Sequence, residues 1–235
     1  MAESEGATHV KASRKLALFA MGIAVAVTAS AKASPRQNSN SSSHTSTADL
    51  GSVSGNVYTN DSIGVTYEFP KGWFVDRSWI DAQNKPTDLG PRPSDPGEAA
   101  KYDSMAAMKK GTHALLAVSE HGGDTASDTG PRIQLSVSPV FENRSGSDIL
   151  SGMKAAYGRM RLIQVVDDPL DYTFGGMTFS RMDLRLLDVI LKGGAGFQSA
   201  IIGTRKGQYL QFLILADSPE QLDSLVHSLD SLKFK

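Results

Sequence analysis

Cysteine is absent from all 235 residues of the sequence. Its absence excludes a disulfide framework, a thiol nucleophile, thiolate metal ligands and the lipid-bearing cysteine of a bacterial lipoprotein. The fold must therefore be held together by packing alone.

An excess of positive charge is also absent. The chain has 24 basic and 25 acidic residues, for a formal net charge of -1. Four basic and two acidic residues fall within the first 33, which leaves 20 basic and 23 acidic residues in the remainder. Proteins that bind nucleic acid need a strongly basic face that displaces counterions. The sequence therefore predicts no nucleic-acid partner.

Long apolar runs are absent as well, apart from a short uncharged stretch at residues 16–29 that follows three basic residues. Fourteen helical residues reach about 21 Å, against roughly 30 Å of hydrocarbon in a bilayer. Residues 31–33, Ala-Lys-Ala, match the small-residue cleavage pattern of a secretory signal peptide. We predict a signal peptide at residues 1–33, cleaved before Ser34, and hence an exported protein, periplasmic or extracellular. The alternative is an uncleaved membrane anchor at residues 16–29, the chain's one predicted contact with a membrane.

Two further segments follow the leader. Residues 34–55 are rich in Ser, Thr, Asn and Gly, and such composition cannot offset its own ordering entropy, so we predict a disordered tether. Residues 56–235 have the size of one ordinary domain. With 40% hydrophobic and 21% charged residues overall, the chain is long enough to bury a core.

Alternating apolar residues predict an antiparallel sheet. An opening hairpin is expected at residues 57–59 and 65–69, and Gly175-Gly176 marks a second one because both glycines accept positive φ. Apolar side chains change face between Phe179 and Met182, which predicts a bulge or bend near Arg181. The remaining predicted strands cover residues 73–75, 112–119, 132–138, 171–174, 177–187, 197–204 and 208–216, with a short edge strand at 232–234.

Three capping patterns predict helices. Asp95, followed by a proline and by Glu98, predicts a helix to about residue 110. Ser147 predicts a helix over residues 148–162, and Ser218 one that begins at the next residue. Since the last two long strands are apolar on both sides, both faces of the sheet need a helical cover. The predicted fold is α+β, an antiparallel sheet with helices on both faces.

The stretch from Tyr67 to Trp73, Tyr-Glu-Phe-Pro-Lys-Gly-Trp, and the closing strand and helix from Tyr209 to Phe234 resemble the PsbP and Mog-type superfamily and the related DcrB-type bacterial envelope proteins. The resemblance implies an α/β/α sandwich and an accessory or binding role. DcrB-type proteins are typically lipoproteins, and the lack of cysteine is a departure from them. The shared pattern is structural, so it implies no catalytic residue.

The histidines, the acidic loop and the glycine cluster do not match a metal-binding or phosphate-binding motif. His113 and His121 would stand about 26 Å apart at the two ends of one strand, so they cannot share a metal. Asp124 and Asp128 lack the spacing of a calcium loop, and Gly193-Gly194-Ala195-Gly196 lacks the lysine of a phosphate loop. We predict no metal, no cofactor and no catalytic residue.

The densest polar and aromatic group lies near one turn. Aromatic rings beside carboxylates can hold sugars or peptides, although a partly buried indole with ordinary surface charge around it has the same pattern. The candidate binding residues are Trp73, Asp76, Arg77, Trp79 and Asp81.

Three functional hypotheses follow. The first is a non-enzymatic accessory protein that binds another protein of the cell envelope. The second is a small-ligand or glycan-binding module that uses Trp73 or Trp79. The third is an enzyme, a hydrolase. An exposed apolar patch would favour the first, and a cleft with convergent carboxylates the third.

Overall fold

The computed structural model describes residues 49–86, 88–122, 130–140, 143–160, 163–187 and 196–235. All of them belong to one unit of the chain, Gln37–Lys235. The predicted signal peptide, its cleavage site and the first part of the predicted tether lie outside the described residues.

Two antiparallel sheets contain the strands of the described residues. The small sheet has the order β1-β2-β3-β12 and the large one the order β4-β5-β6-β11-β10-β9-β7, with β8 also paired to β9. The strands of the small sheet are β1 Ser52–Ser54, β2 Val57–Asn60, β3 Val65–Glu68 and β12 Lys233–Phe234. Those of the large sheet are β4 Phe74–Val75, β5 His113–Ser119, β6 Arg132–Pro139, β7 Ile163–Val165, β8 Leu170–Phe174, β9 Met177–Leu186, β10 Phe197–Arg205 and β11 Gln208–Ala216. The predicted α+β class is confirmed.

Strand β1 corrects the predicted extent of the tether. Val53 and Leu50 pack against the main core. Gly51, at φ +73°, turns the chain so closely over Thr59 that an added Cβ would lie 2.6 Å from its carbonyl oxygen. The ordered domain therefore begins before Asn56, because two apolar side chains are enough to anchor this polar segment.

Within the described ranges, four α-helices cover the sheets: α1 Arg77–Asn84, α2 Pro96–Gly111, α3 Gly146–Tyr157 and α4 Pro219–His227, the last continued by a 3₁₀ turn, η1 Ser228–Ser231. Caps at Asp95 and Ser218 are confirmed, since each side chain accepts the predicted backbone N–H. Helix α1 is absent from the sequence prediction. It begins at Asp76, whose carboxylate accepts the N–H of Trp79.

The prediction for α3 is wrong at both ends. Ser145, not Ser147, caps the helix, and it forms a reciprocal capping box with Asp148. Gly146, the first residue of the helix, lies against the large sheet, where a Cβ would stand 2.5 Å from the carbonyl oxygen of Ile202. The helix ends at Tyr157, five residues before the predicted end.

Helices lie on both faces of the large sheet, as predicted. Leu222 and Val226 of α4 join Ile201 in the main core, whereas α3 packs against β9 and β10 at the neighbouring Ile202. Successive residues of a strand point to opposite faces, so α3 and α4 are on opposite sides of the sheet.

No bulge occurs near Arg181, so that alternative of the prediction is wrong. Pairing of β9 with β10 runs without a shift from Phe179↔Gly203 to Arg185↔Phe197. The apolar side chains change face because both faces of β9 are buried. Phe179 belongs to the core shared with α4, and Met182 and Leu184 are buried on the opposite face. A register shift occurs in β5, between Ala114 and Leu116.

The small sheet closes the main core on the side of α4. Tyr67 of β3 meets Phe212 of β11 edge to face, with ring centroids 5.9 Å apart. Phe212 in turn contacts Phe179, so aromatic rings join the two sheets. In the part of the chain that the structure describes, no helix is long and apolar enough to cross a bilayer.

Candidate functional site

Trp73 and Trp79 are both half-buried and serve different packing roles. Trp73 follows the turn at Pro70, whose carbonyl accepts its N–H at 3.3 Å, and packs against the main core. Trp79 lies on α1 and packs against a small cluster around Ile80 and Ala117. The two indoles therefore belong to two separate clusters.

Asp76 has a structural role at the start of α1. Its carboxylate accepts hydrogen bonds from the Trp79 N–H and the Ser78 hydroxyl, both at 2.8 Å. Its own N–H donates to the Ala117 carbonyl at 2.9 Å and so ties α1 to β5. Oδ1 of this carboxylate is therefore occupied by the cap of α1.

A surface cleft of about 330 Å³ lies beside these residues, and we call it the Phe74 cleft. Its described lining contains Phe74, Val75, Asp76, Arg77, Ser78, Ser119 and Gly122. Phe74 is 56% exposed and lies directly on Gly122, where a Cβ would stand 2.5 Å from the ring.

The Phe74 cleft brings together two of the five predicted residues, Asp76 and Arg77. Trp73, Trp79 and Asp81 are not among its lining residues, and Asp81 is exposed elsewhere on α1. Asp76 is the one carboxylate among the described lining residues, so they contain no pair of carboxylates for general acid–base chemistry.

Metal-binding chemistry has no support in the described residues, among which no group of three His, Cys, Asp or Glu side chains lies close enough to hold an ion. Asp124, Asp128 and most of the Gly193–Gly196 cluster lie outside them.

A different surface is formed where β7 and β8 follow each other along one side of β9. The β7 strand pairs with Leu184–Leu186 and β8 with Met177–Arg181. Between them, residues 166–169 form an excursion tied to β9 by the Val166 N–H, which donates to the Asp183 carbonyl at 2.9 Å. We call the surface of residues 166–174 with Arg181, Asp183 and Asp223 the β8 edge.

Apolar side chains are exposed along the β8 edge. Leu170 is 55% exposed, Val166 51% and Tyr172 38%. They are three of the six large apolar side chains exposed among the described residues, and the other three, Phe74, Met105 and Met160, lie on other elements or at the end of α3.

Arg181 forms the base of this surface and is 10% exposed. It binds Asp183 through two hydrogen bonds, of 2.9 and 2.7 Å, and Asp223 of α4 through one of 2.8 Å. Burial would lower the pKa of the Arg181 guanidinium, but the two carboxylates reverse the effect and raise it. The ring of Tyr172 lies 5.5 Å from the guanidinium carbon, and it stacks on Phe174 with an interplanar angle of 6°. Tyr172 thus contacts both a cation and a buried ring.

The β8 edge is acidic. Its carboxylates belong to Asp167, Asp168, Asp171, Asp183 and Asp223. Arg181 is paired within this set, and Lys154 of α3 pairs with Asp168. Arg185 lies further along β9, opposite Gln164 of β7.

The sequence predicts the strand of this edge but not the site. Leu170, Tyr172 and Phe174 alternate with polar residues, a pattern that indicates a buried face. The available signal is the run Asp167-Asp168-Pro169 just before the strand, since acidic residues and proline are typical of a sheet edge.

No family model matches the chain, and no curated protein matches it. Among solved structures, it is similar to cyanobacterial PsbP (CyanoP) from Synechocystis sp. PCC 6803, with 12% identity and a TM-score of 0.42 over 79% of this chain and 99% of that one. It is also similar to LpqN, involved in cell envelope biogenesis of Mycobacterium tuberculosis, with 12% identity and a TM-score of 0.34 over 73% of this chain and 83% of that one. The predicted resemblance to PsbP-type proteins is thus found.

Proposed function

We propose that this protein is an exported, non-enzymatic accessory protein that binds another protein of the cell envelope through the β8 edge. One observation carries the proposal: Val166, Leu170 and Tyr172 are exposed together on a single sheet edge. Clustered apolar side chains with a polar rim are typical of protein-binding surfaces, and tyrosine is one of the residues favoured as an anchor near their centre. The expectation of export comes from the leader pattern of residues 1–33.

The geometry of the Phe74 cleft gives less support to the other two hypotheses. A glycan site built on Trp73 or Trp79 needs an indole that faces the ligand, and neither indole lines the cleft. A hydrolase of the predicted kind needs convergent carboxylates, whereas Asp76 caps α1.

Photocrosslinking in the native cell envelope tests the protein partner. Tyr172 is replaced by the photoreactive residue benzoylphenylalanine in the full chain, and a second chain has the same replacement at Met105. Met105 is also exposed but lies on α2, which packs against β6, three strands away from β9 in the sheet order.

The expected result is one discrete protein adduct from position 172, none from position 105, and loss of the adduct in a second chain with Leu170→Glu. Equal adducts at both positions, or none at position 172, would overturn the proposal. Mass spectrometry of the same samples tests export, because a chain that begins at Ser34 has lost its leader, and one that retains residues 16–29 is anchored.

A further inference from the structure

We propose that the β8 edge binds an extended, basic segment of the partner protein as an added antiparallel or parallel β-strand next to β8. This inference rests on the proposed function and specifies its binding mode. Strand addition obtains its affinity from main-chain hydrogen bonds and its specificity from alternate side chains.

The backbone of β8 has unused hydrogen-bonding groups on its outer side. In a hairpin with a two-residue loop, Phe174 and Met177 form the closing hydrogen-bonded pair, and such pairs alternate along the strands. Tyr172 and Leu170 therefore bond to β9, whereas the N–H and C=O groups of Asp171 and Thr173 point away from it. No hydrogen bond from any residue reaches those outward groups in the part of the chain that the structure describes.

At the opposite end of the large sheet, the outward backbone groups of an edge position are hydrogen-bonded by a side chain. Strand β4 is two residues long and leaves the outer side of β5 open at Ala114. There the Asn84 side chain replaces a strand: its Nδ2 donates to the Ala114 carbonyl at 2.8 Å, and its Oδ1 accepts the Ala114 N–H at 2.9 Å. Among the described residues, no side chain covers the backbone of the β8 edge in this way.

The length of the bound segment follows from the exposure of β8. All four residues from Leu170 to Thr173 are exposed, whereas Phe174 is buried. Beyond Phe174 the chain turns against η1, with Gly175 directly at the Leu232 carbonyl. At the other end Pro169 has no N–H to donate. The accessible site is therefore about four residues long.

Charge selects the partner. Asp171 and Thr173 lie on one face of β8, and Leu170 and Tyr172 lie on the other. Residues directly opposite each other on neighbouring strands share a face, so the added strand should alternate a basic residue near Asp171 with an apolar one near Tyr172. A second copy of this chain is disfavoured, because two such edges would bring Asp167, Asp168 and Asp171 together with their counterparts.

The test uses a synthetic capped hexapeptide with alternating lysine and valine and a control peptide with glutamate in place of lysine. Each is titrated into isotopically labelled protein and followed by NMR and amide hydrogen exchange. We expect the lysine peptide to slow exchange of the Asp171 and Thr173 amides, with an affinity that falls as salt is raised. The glutamate peptide should leave both amides unchanged.

Thr173→Pro and Thr173→Ala form the matched pair of variants. Proline is tolerated at an edge position whose N–H faces solvent, and Tyr172 before it already has the extended backbone that proline requires. Thr173→Pro should weaken the lysine peptide by about tenfold, which is the loss of roughly one main-chain hydrogen bond. Thr173→Ala retains the N–H and should bind within about twofold of the original chain.

Asp171→Lys provides a second test that does not depend on proline. This variant should bind the glutamate peptide more tightly than the lysine peptide. Strand addition is overturned if the Asp171 and Thr173 amides stay unprotected, if Thr173→Pro binds the lysine peptide as well as Thr173→Ala does, or if the glutamate peptide binds equally well. The proposed function is tested separately by the crosslink at position 172 in the native cell envelope. If that crosslink is retained in the Thr173→Pro chain but lost with Leu170→Glu, the proposed protein partner is supported and the added β-strand is overturned.

Discussion

Tyr67 donates its phenolic proton to the Ser228 hydroxyl oxygen, 2.7 Å away and 161 residues later in the chain. The direction follows from Ser228, whose own proton goes to the Leu225 carbonyl at 2.6 Å. Strand β3 and the end of α4 are thus joined by a part-buried hydrogen bond beside the main core, to which both contribute side chains.

Tyr67→Phe should lower the free energy of unfolding by about 1 kcal/mol at pH 7, the usual contribution of one such bond. Burial raises the pKa of Tyr67 well above its ordinary value, more than the Ser228 hydrogen bond lowers it. A raised folded pKa gives stability that is complete below the unfolded pKa of about 10 and is lost as pH rises above it. Urea unfolding from pH 8 to 11 should therefore show a shallower alkaline decline in Tyr67→Phe, and the exposed Tyr172→Phe is the control. An equal decline in both would contradict the assignment.

Asn84→Ala should lower the free energy of unfolding by about 2 kcal/mol, because it leaves the Ala114 N–H and carbonyl without their partner beside the β5 bulge. Gln83→Ala, on an exposed neighbour, should change it by less than about 0.5 kcal/mol. Urea unfolding measures both values, and amide exchange at Ala114 should accelerate in Asn84→Ala alone. Unchanged exchange would show that Asn84 does not protect this edge.

Gly175→Ala and Gly176→Ala separate backbone strain from a steric clash. Both glycines have positive φ, +57° and +79°, so each alanine should cost about 1 to 2 kcal/mol in strain. A Cβ at Gly176 meets nothing within 4 Å, whereas one at Gly175 would lie 2.5 Å from the Leu232 carbonyl oxygen. The melting temperature of Gly175→Ala should therefore be clearly lower than that of Gly176→Ala. The reverse order would show that the hairpin does not pack on Leu232.

Asp148→Asn tests the capping box of α3 through its pH dependence. Hydrogen bonds from the Ser145 hydroxyl and backbone N–H lower the pKa of Asp148. A lowered folded pKa gives stability that is present above the unfolded value of about 4 and is lost as pH falls through the folded value. The difference in melting temperature between the original chain and Asp148→Asn should thus be greatest near neutral pH and shrink below pH ~4.

Ser147→Ala is the control for that experiment, since Ser147 lies within α3 and not at its cap. It should melt close to the original chain at every pH. A decrease in melting temperature as large as that of Asp148→Asn would show that Ser147 is the cap.

Local signals in the sequence predict most strands and two of the helix starts. Gly175-Gly176 and Ser218-Pro219 succeed because a turn or a cap is determined by its own residues. Ser145 carries a local signal that the prediction for Ser147 passed over, because the acidic residue three positions later, Asp148, completes its capping box. Helix α1 was missed because its eight residues bury a single side chain, Ile80, so no periodic stripe indicates it.

The candidate site was predicted less well, for a different reason. Trp73, Asp76, Arg77, Trp79 and Asp81 are close in sequence, but α1 turns them in different directions and uses Asp76 as its cap. At the β8 edge, Leu170 and Tyr172 have the alternation of a buried strand. They are exposed because β8 lies at an edge of the sheet, and no local sequence pattern determines the order of the strands.

Strand β3 pairs with β12, Lys233–Phe234, and the Gly64 carbonyl accepts the N–H of Lys235. During synthesis, β3 leaves the ribosome about 165 residues before its partner, at a rate of roughly 5 to 20 residues per second. For some 8 to 30 seconds the nascent chain therefore exposes an apolar strand with one unpaired side, a time in which a holding chaperone could bind it. The synthesis of β12, long after that of β3, thus decides when the small sheet closes.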